Sequence, residues 1–225
     1  MSEESKAIEA VANATKVGIE ACGKFARFIS KYIDGTLEQG IGIFEDKLKY
    51  YRWENQVKLM EKANYFLKEV GLKEPNQAIK LKFALPLLEA ASMEDDDYLQ
   101  DLWAKLLVNA TNKESNIVLM RSYIDILERI TPLEARILEK IYSIPFDKIQ
   151  HIGVATRKLP EIAEIASENS NEEVTENDDL KLALANLARL GCITLARTWG
   201  NGELFGKVNP TVLGKHFVEA CTIKD

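Results

Sequence analysis

Cysteine is scarce: only Cys22, Cys192 and Cys221 occur in 225 residues, too few and too scattered for a disulfide framework. Histidine is scarcer still, with His151 and His216 alone. Neither lies in a Ser/His/Asp or Cys/His pattern, so nucleophilic catalysis has no visible constellation. No glycine-rich phosphate loop and no dinucleotide fingerprint is present. No run of about 18 apolar residues occurs, which argues against an ordinary membrane-spanning helix. Positive charge is also short, since 29 Lys and Arg face 35 Asp and Glu for a net charge of -6. A chain of that balance does not coat nucleic acid by bulk charge. The opening Met1-Ser-Glu-Glu-Ser-Lys6 lacks a basic region followed by an apolar core, so we expect a cytoplasmic protein without a secretory leader.

Helical periodicity is abundant. The clearest helix runs from Ser92 to Ala110, with Leu99, Leu102, Trp103, Leu106, Leu107 and Ala110 on one face. Ser92 with Asp95 reads as its capping box, and Glu94, Asp95, Asp96 and Asp97 suit the positive end of the helix dipole. Together with Glu89 and Asp101 these carboxylates have the oxygen chemistry for a divalent cation. They lack the spaced ligands and glycine of a calcium loop, so dipole complementarity is the simpler account. Cys192, His216 and Cys221 lack the pair spacing of a zinc site, and Cys192 and Cys221 read as buried structural thiols. We assign no catalytic, metal or cofactor residue and expect no enzyme.

Residues 6–34 read as a helix in which small residues recur every four positions, at Ala10, Ala14, Gly18, Cys22, Ala26 and Ser30. Such a row lets another helix approach closely. Packing within the protein or a homo-oligomer is the plainer reading, and peripheral membrane contact is the sharper alternative, because small-residue spacing resembles close-packed membrane helices and a helix with basic residues can lie in the interface. Gly35, Gly40 and Gly42 follow as a hinge. A second helix is expected over residues 46–70, with Tyr50, Trp53, Val57, Met60, Asn64 and Leu67 on one side and Gly71 as its stop. Its Tyr50-Tyr-Arg-Trp53 cluster reads as core packing rather than a base-stacking platform.

Residues 78–91 alternate like a strand before Pro86 and then read as helix, and we favour a helix kinked or started at that proline. Another helix is expected through Ile117, Met120, Ile124 and Leu127. Thr131-Pro-Leu-Glu134 signals a further helix start, with an apolar side of Leu133, Ile137, Leu138 and Ile141 and an end by Pro145. Short mixed elements and an acidic loop over residues 167–179 come next. A helix carrying Leu180, Leu184, Leu187 and Leu190 closes at Gly191, and Ile193–Arg197 and Leu204–Val208 form a hairpin around Gly200-Asn-Gly202. The final helix starts near Thr211.

Helix, glycine, strand, turn, strand is the order of a winged-helix unit. The fold class expected is therefore mainly α, a multi-helix N-terminal and central region with a C-terminal winged-helix-like α+β unit. The domains expected are 1–44 (amphipathic helix and hinge), 45–130 (helical core) and 131–225 (winged-helix-like). A DNA-reading version would use Lys181 and Arg189 on the helix before the hairpin. Asp178 and Asp179 on the same helix make nucleic acid the lesser alternative to a protein partner.

Five stretches together resemble the abortive-infection alpha family of bacterial phage-defence proteins. They are Leu85-Pro-Leu-Leu-Glu-Ala-Ala-Ser92, Leu99-Gln-Asp-Leu-Trp-Ala-Lys-Leu-Leu107, Ile126-Leu-Glu-Arg-Ile-Thr-Pro-Leu-Glu-Ala-Arg-Ile-Leu138, Leu187-Ala-Arg-Leu-Gly191 and Thr211-Val-Leu-Gly-Lys-His-Phe-Val-Glu-Ala-Cys221. The resemblance spans residues 78–221. It implies a role in defence against phage and transfers no catalytic residue. The function expected is a non-enzymatic antiviral defence protein acting through protein contacts or oligomerisation. The alternatives are a membrane-perturbing N-terminal helix and a winged-helix DNA-binding regulator.

Overall fold

The computed structural model describes residues 24, 27–34, 53–167, 177–197, 200 and 202–224. Helix dominates these residues, and strand is confined to a two-stranded parallel ladder and a four-stranded antiparallel sheet. Two compact units separate between Ile124 and Asp125.

In the first unit, residues 27–29 are helical and lead into β1 (Ile33–Asp34). Helix α1 (Trp53–Glu69) ends where Gly71 takes a φ of 73°. The Gly71 amide reaches the Lys68 carbonyl at 3.0 Å and the Leu72 amide reaches Leu67 at 2.8 Å, which closes the helix as the glycine suggested. The buried face of α1 is Asn55, Gln56, Leu59, Ala63, Phe66 and Leu67. The stripe expected from sequence is rotated by about one position, for Asn64 is exposed and Val57 and Met60 are half-buried.

Strand β2 (Ile79–Lys80) pairs parallel with β1, Ile33 against Ile79 and Asp34 against Lys80. Helix α2 (Leu81–Met93) follows at once, so the alternating pattern makes only two strand residues. Pro86 lies inside α2 rather than at its start. It lacks the amide that would meet the Lys82 carbonyl, and Lys82 is exposed, where water can serve that oxygen.

Helix α3 (Asp97–Ala110) is capped by Asp96, whose carboxylate accepts from the Tyr98 and Leu99 amides at 3.0 Å each. The Ser92 capping box is therefore corrected. Ser92 sits fully buried in the last turn of α2, donating to the Leu88 carbonyl at 2.7 Å. Gln100 fixes this corner by donating to the Ala91 and Glu94 carbonyls at 2.8 and 2.7 Å, and Asn55 of α1 donates to Asp95 at 3.0 Å. Leu99, Trp103, Leu106, Leu107 and Ala110 are buried as the periodicity required, while Leu102 is half-buried. A short 3-10 turn, Lys113–Ser115, ends at Asn116 in the left-handed region. Residues 117–120 are not helical, so helix α4 (Arg121–Leu127) starts later than its apolar spacing suggested.

The second unit begins at Asp125, within α4, and its first whole helix is α5 (Pro132–Ser143). Its capping box forms in full: Glu134 accepts from the Thr131 amide at 2.5 Å and its own amide donates to the Thr131 hydroxyl at 3.3 Å. Ile137, Leu138 and Ile141 are buried and Leu133 is half-buried. Helix α6 (Phe146–Ile149), β3 (Val154–Ala155) and β4 (Glu164–Ile165) are the short mixed elements expected there. Most of the acidic loop lies outside the described residues. Helix α7 (Asp178–Arg189) buries Leu180, Ala183, Leu184 and Leu187 and terminates at Gly191, φ 76°, by the same amide pattern as α1. Strands β5 (Ile193–Arg197) and β6 (Glu203–Pro210) pair antiparallel with a register shift after Leu195. The sheet order is β4-β3-β6-β5. Helix α8 (Val212–Ala220) closes the unit with Gly214, Phe217 and Ala220 inward and Val212 exposed.

Candidate functional site

The most organised polar centre of the second unit is Tyr142, near the end of α5. Its hydroxyl donates to the Cys192 carbonyl at 2.5 Å and accepts from the Thr211 amide at 3.0 Å. Thr211 caps α8 through its bond to the Gly214 amide at 2.9 Å and donates back to the Gly191 carbonyl at 2.7 Å. One phenol thereby holds α5, the α7–β5 turn and the β6–α8 junction in register. Burial pushes the Tyr142 hydroxyl up to about 12, against the lowering effect of its bonds to Thr211. Burial likewise pushes the Cys192 thiol up to about 12, with the Glu134 carboxylate adding to the rise. Both groups are therefore held neutral at physiological pH.

Glu134 does more than close its capping box. Although only 3% exposed, its second oxygen accepts from the Asn186 amide at 2.7 Å, and Asn186 also donates to the Arg129 carbonyl at 3.1 Å. Asn186 then accepts from Arg189 through both Nε and a terminal nitrogen, at 3.1 and 2.6 Å. These bonds orient α7 against α5 and fix which of its residues face outward.

On that outward side the two basic residues considered for DNA contact are both engaged. Lys181 pairs with Asp178 at 2.9 Å and Arg189 is held by Asn186. Asp178 and Asp179 are exposed, and Leu182, 69% exposed, stands on the same helix. Two carboxylates and two cations balance on this helix, and Leu182 adds an apolar side chain to its exposed face. Leu182 was missed in the sequence because it falls off the stripe of Leu180, Leu184 and Leu187, and being off the stripe is the signal that would have found it.

The remaining candidates are not brought together. Cys192 and Cys221 are buried and not disulfide-bonded, whereas His216 is half-exposed on α8 with Nδ1 3.1 Å from Glu219. The acidic run before α3 is used structurally: Asp96 caps, Asp95 accepts from Asn55, and Asp97 and Asp101 lie 3.1 and 2.5 Å from Lys62. Burial alone would lower the Lys62 ammonium, but its hydrogen bonds to Asp101 and Asp97 raise it. Among the described residues no three His, Cys, Asp or Glu side chains gather as metal ligands. Of the small-residue ridge, Ala10, Ala14, Gly18, Cys22 and Ala26 lie outside the described residues, as do the glycine hinge and Tyr50 to Arg52. Ser30 is half-buried and donates to the Arg27 carbonyl at 2.8 Å. No helix among the described residues is long and apolar enough to cross a membrane.

Comparison with protein families gives a match to the model for abortive infection alpha over residues 54–221, well over half of the chain. The chain belongs to the abortive infection alpha family. No curated protein and no solved structure matches it. The match begins at α1, earlier than the resemblance seen from residue 78, and runs through both units to the end of α8. Every interaction of the Tyr142 and Glu134 centres lies inside it. The small-residue ridge precedes it. Abortive infection alpha membership gives the chain a general role in defence against phage.

Proposed function

We propose that this abortive infection alpha protein defends by protein contacts or self-association, without catalysis. In this reading the second unit is a winged-helix-like module whose helix α7 meets a protein rather than DNA, and residues 1–44 serve as an effector or oligomerisation arm. The observation that carries the reading is the outward surface of α7. A DNA-reading helix presents its cations to phosphates, but here Lys181 is ion-paired with Asp178, Arg189 keeps its charge while hydrogen-bonded to Asn186, two exposed carboxylates share the helix, and Leu182 is open to solvent. The winged-helix reading is supported by the α7–Gly191–β5–β6 order and by β3 lying beside β6 in the sheet.

The test is phage protection by variants first shown to be folded. Leu182→Asp should abolish protection, and the full-length protein should show no salt-sensitive binding to duplex DNA. Duplex binding that is strong at low salt and lost on Lys181→Glu with Arg189→Glu would overturn the proposal.

A further inference from the structure

Residues 27–34 belong to the first unit. Phe28, Ile29 and Tyr32 are buried at 7%, 3% and 1% exposure, with the Phe28 and Tyr32 rings 4.6 Å apart. The backbone is fastened by the two-residue β1–β2 ladder and by the Ile79 amide, which donates to the Tyr32 carbonyl at 2.7 Å. Lys31 pairs with Glu74 at 2.6 Å, but both side chains are more than half exposed, where an ion pair adds little. The Tyr32 hydroxyl is buried and has no hydrogen-bond partner among the described residues. Its desolvation drives the phenol far above its ordinary pKa. A buried donor left unmade opposes the docking that the apolar rings favour.

From this opposition we propose that residues 27–34 are a releasable strap, docked on the first unit by Phe28, Ile29 and Tyr32 and destabilised in that docked position by the unpartnered Tyr32 hydroxyl. Opening the strap frees the edge of β2 and hydrates the phenol while the α1–α3 core stays folded. Segments joined to a sheet by a two-residue ladder can open locally at free energies below that of global unfolding. The use of this motion in defence rests on the reading above that residues 1–44 act as an arm, whereas the motion itself does not.

Hydrogen exchange on the full chain tests the strap. The Ile79 amide should exchange about a hundredfold faster than the amide of Leu106 in α3. Tyr32→Phe removes the unmade donor and should slow Ile79 exchange about tenfold with Leu106 unchanged, and Lys31→Ala should change it by no more than about twofold. Ile79 exchanging as slowly as Leu106, or failing to slow in Tyr32→Phe, would overturn the proposal. The same variant separates the two readings in phage challenge. Slowed exchange with reduced protection supports both, while slowed exchange with full protection keeps the strap and removes the arm from the defence mechanism.

Discussion

Gly214→Ala is the sharpest test of how the second unit is held. Alanine is the better helix former, so in a solvated helix interior the change would stabilise by about 1 kcal/mol. At this position the added Cβ would fall 2.1 Å from both the Cys192 carbonyl oxygen and the Tyr142 hydroxyl, and 2.7 Å from Tyr142 Cζ. Relief requires α8 to draw back from α5, and the Tyr142 bonds to Cys192 and Thr211 are what that motion breaks. Overpacking costs about 1–3 kcal/mol, and two disrupted hydrogen bonds add about 1 kcal/mol each. After the propensity gain the net loss is about 2–4 kcal/mol. In a unit spanning Asp125–Thr222, that lowers Tm by on the order of 10–20 °C. Thermal unfolding followed by circular dichroism measures it. Tyr142→Phe should cost about 1–2 kcal/mol alone, and combining the two should be less than additive because both disturb one contact. A Tm for Gly214→Ala equal to or above that of the parent protein would refute the close approach of α8 to α5.

Asp96→Ala should destabilise the first unit by about 1 kcal/mol through loss of the α3 cap, whereas Asp97→Ala should change stability less, and chemical denaturation distinguishes them. Cys192 should resist thiol reagents at pH 8 in the folded protein and react promptly in denaturant. Because burial raises its folded pKa from 9.0 to about 12, its contribution to stability is complete below pH 9 and is lost as pH rises towards 12, which denaturant midpoints measured across that range check. Glu134→Ala should cost more than a surface cap, about 2–4 kcal/mol, since the Asn186 amide and the Thr131 amide both lose a charged acceptor.

Local chemistry was legible wherever one short segment decides the outcome. Gly71 and Gly191 stop their helices because a left-handed residue is cheapest as glycine, and Thr131 with Glu134 starts α5 because both partners lie three residues apart. The start of α3 was not legible. Ser92, Asp95 and Asp96 are all capping residues, and the choice among them is made by Gln100 and Asn55, the latter from a different helix. The same limit rotated the face of α1, where the buried Asn55 and Gln56 interrupt the apolar stripe. It also hid the non-helical residues 117–120, whose spacing fits a helix. In the candidate site, the identity of α7 as an amphipathic helix could be read, but the roles of Tyr142 and Asn186 could not. Tyr142 meets residues 50 and 69 positions away, and no periodicity encodes a contact at that separation.

The most direct test of the defence account is the plating efficiency of phage on cells carrying Leu182→Asp, compared with cells carrying Lys181→Glu and Arg189→Glu together, each protein confirmed as folded and equally abundant. A protein-contacting α7 predicts that Leu182→Asp loses protection while the double charge reversal retains it. Protection that survives Leu182→Asp and disappears with the charge reversal would contradict the account and return α7 to nucleic acid.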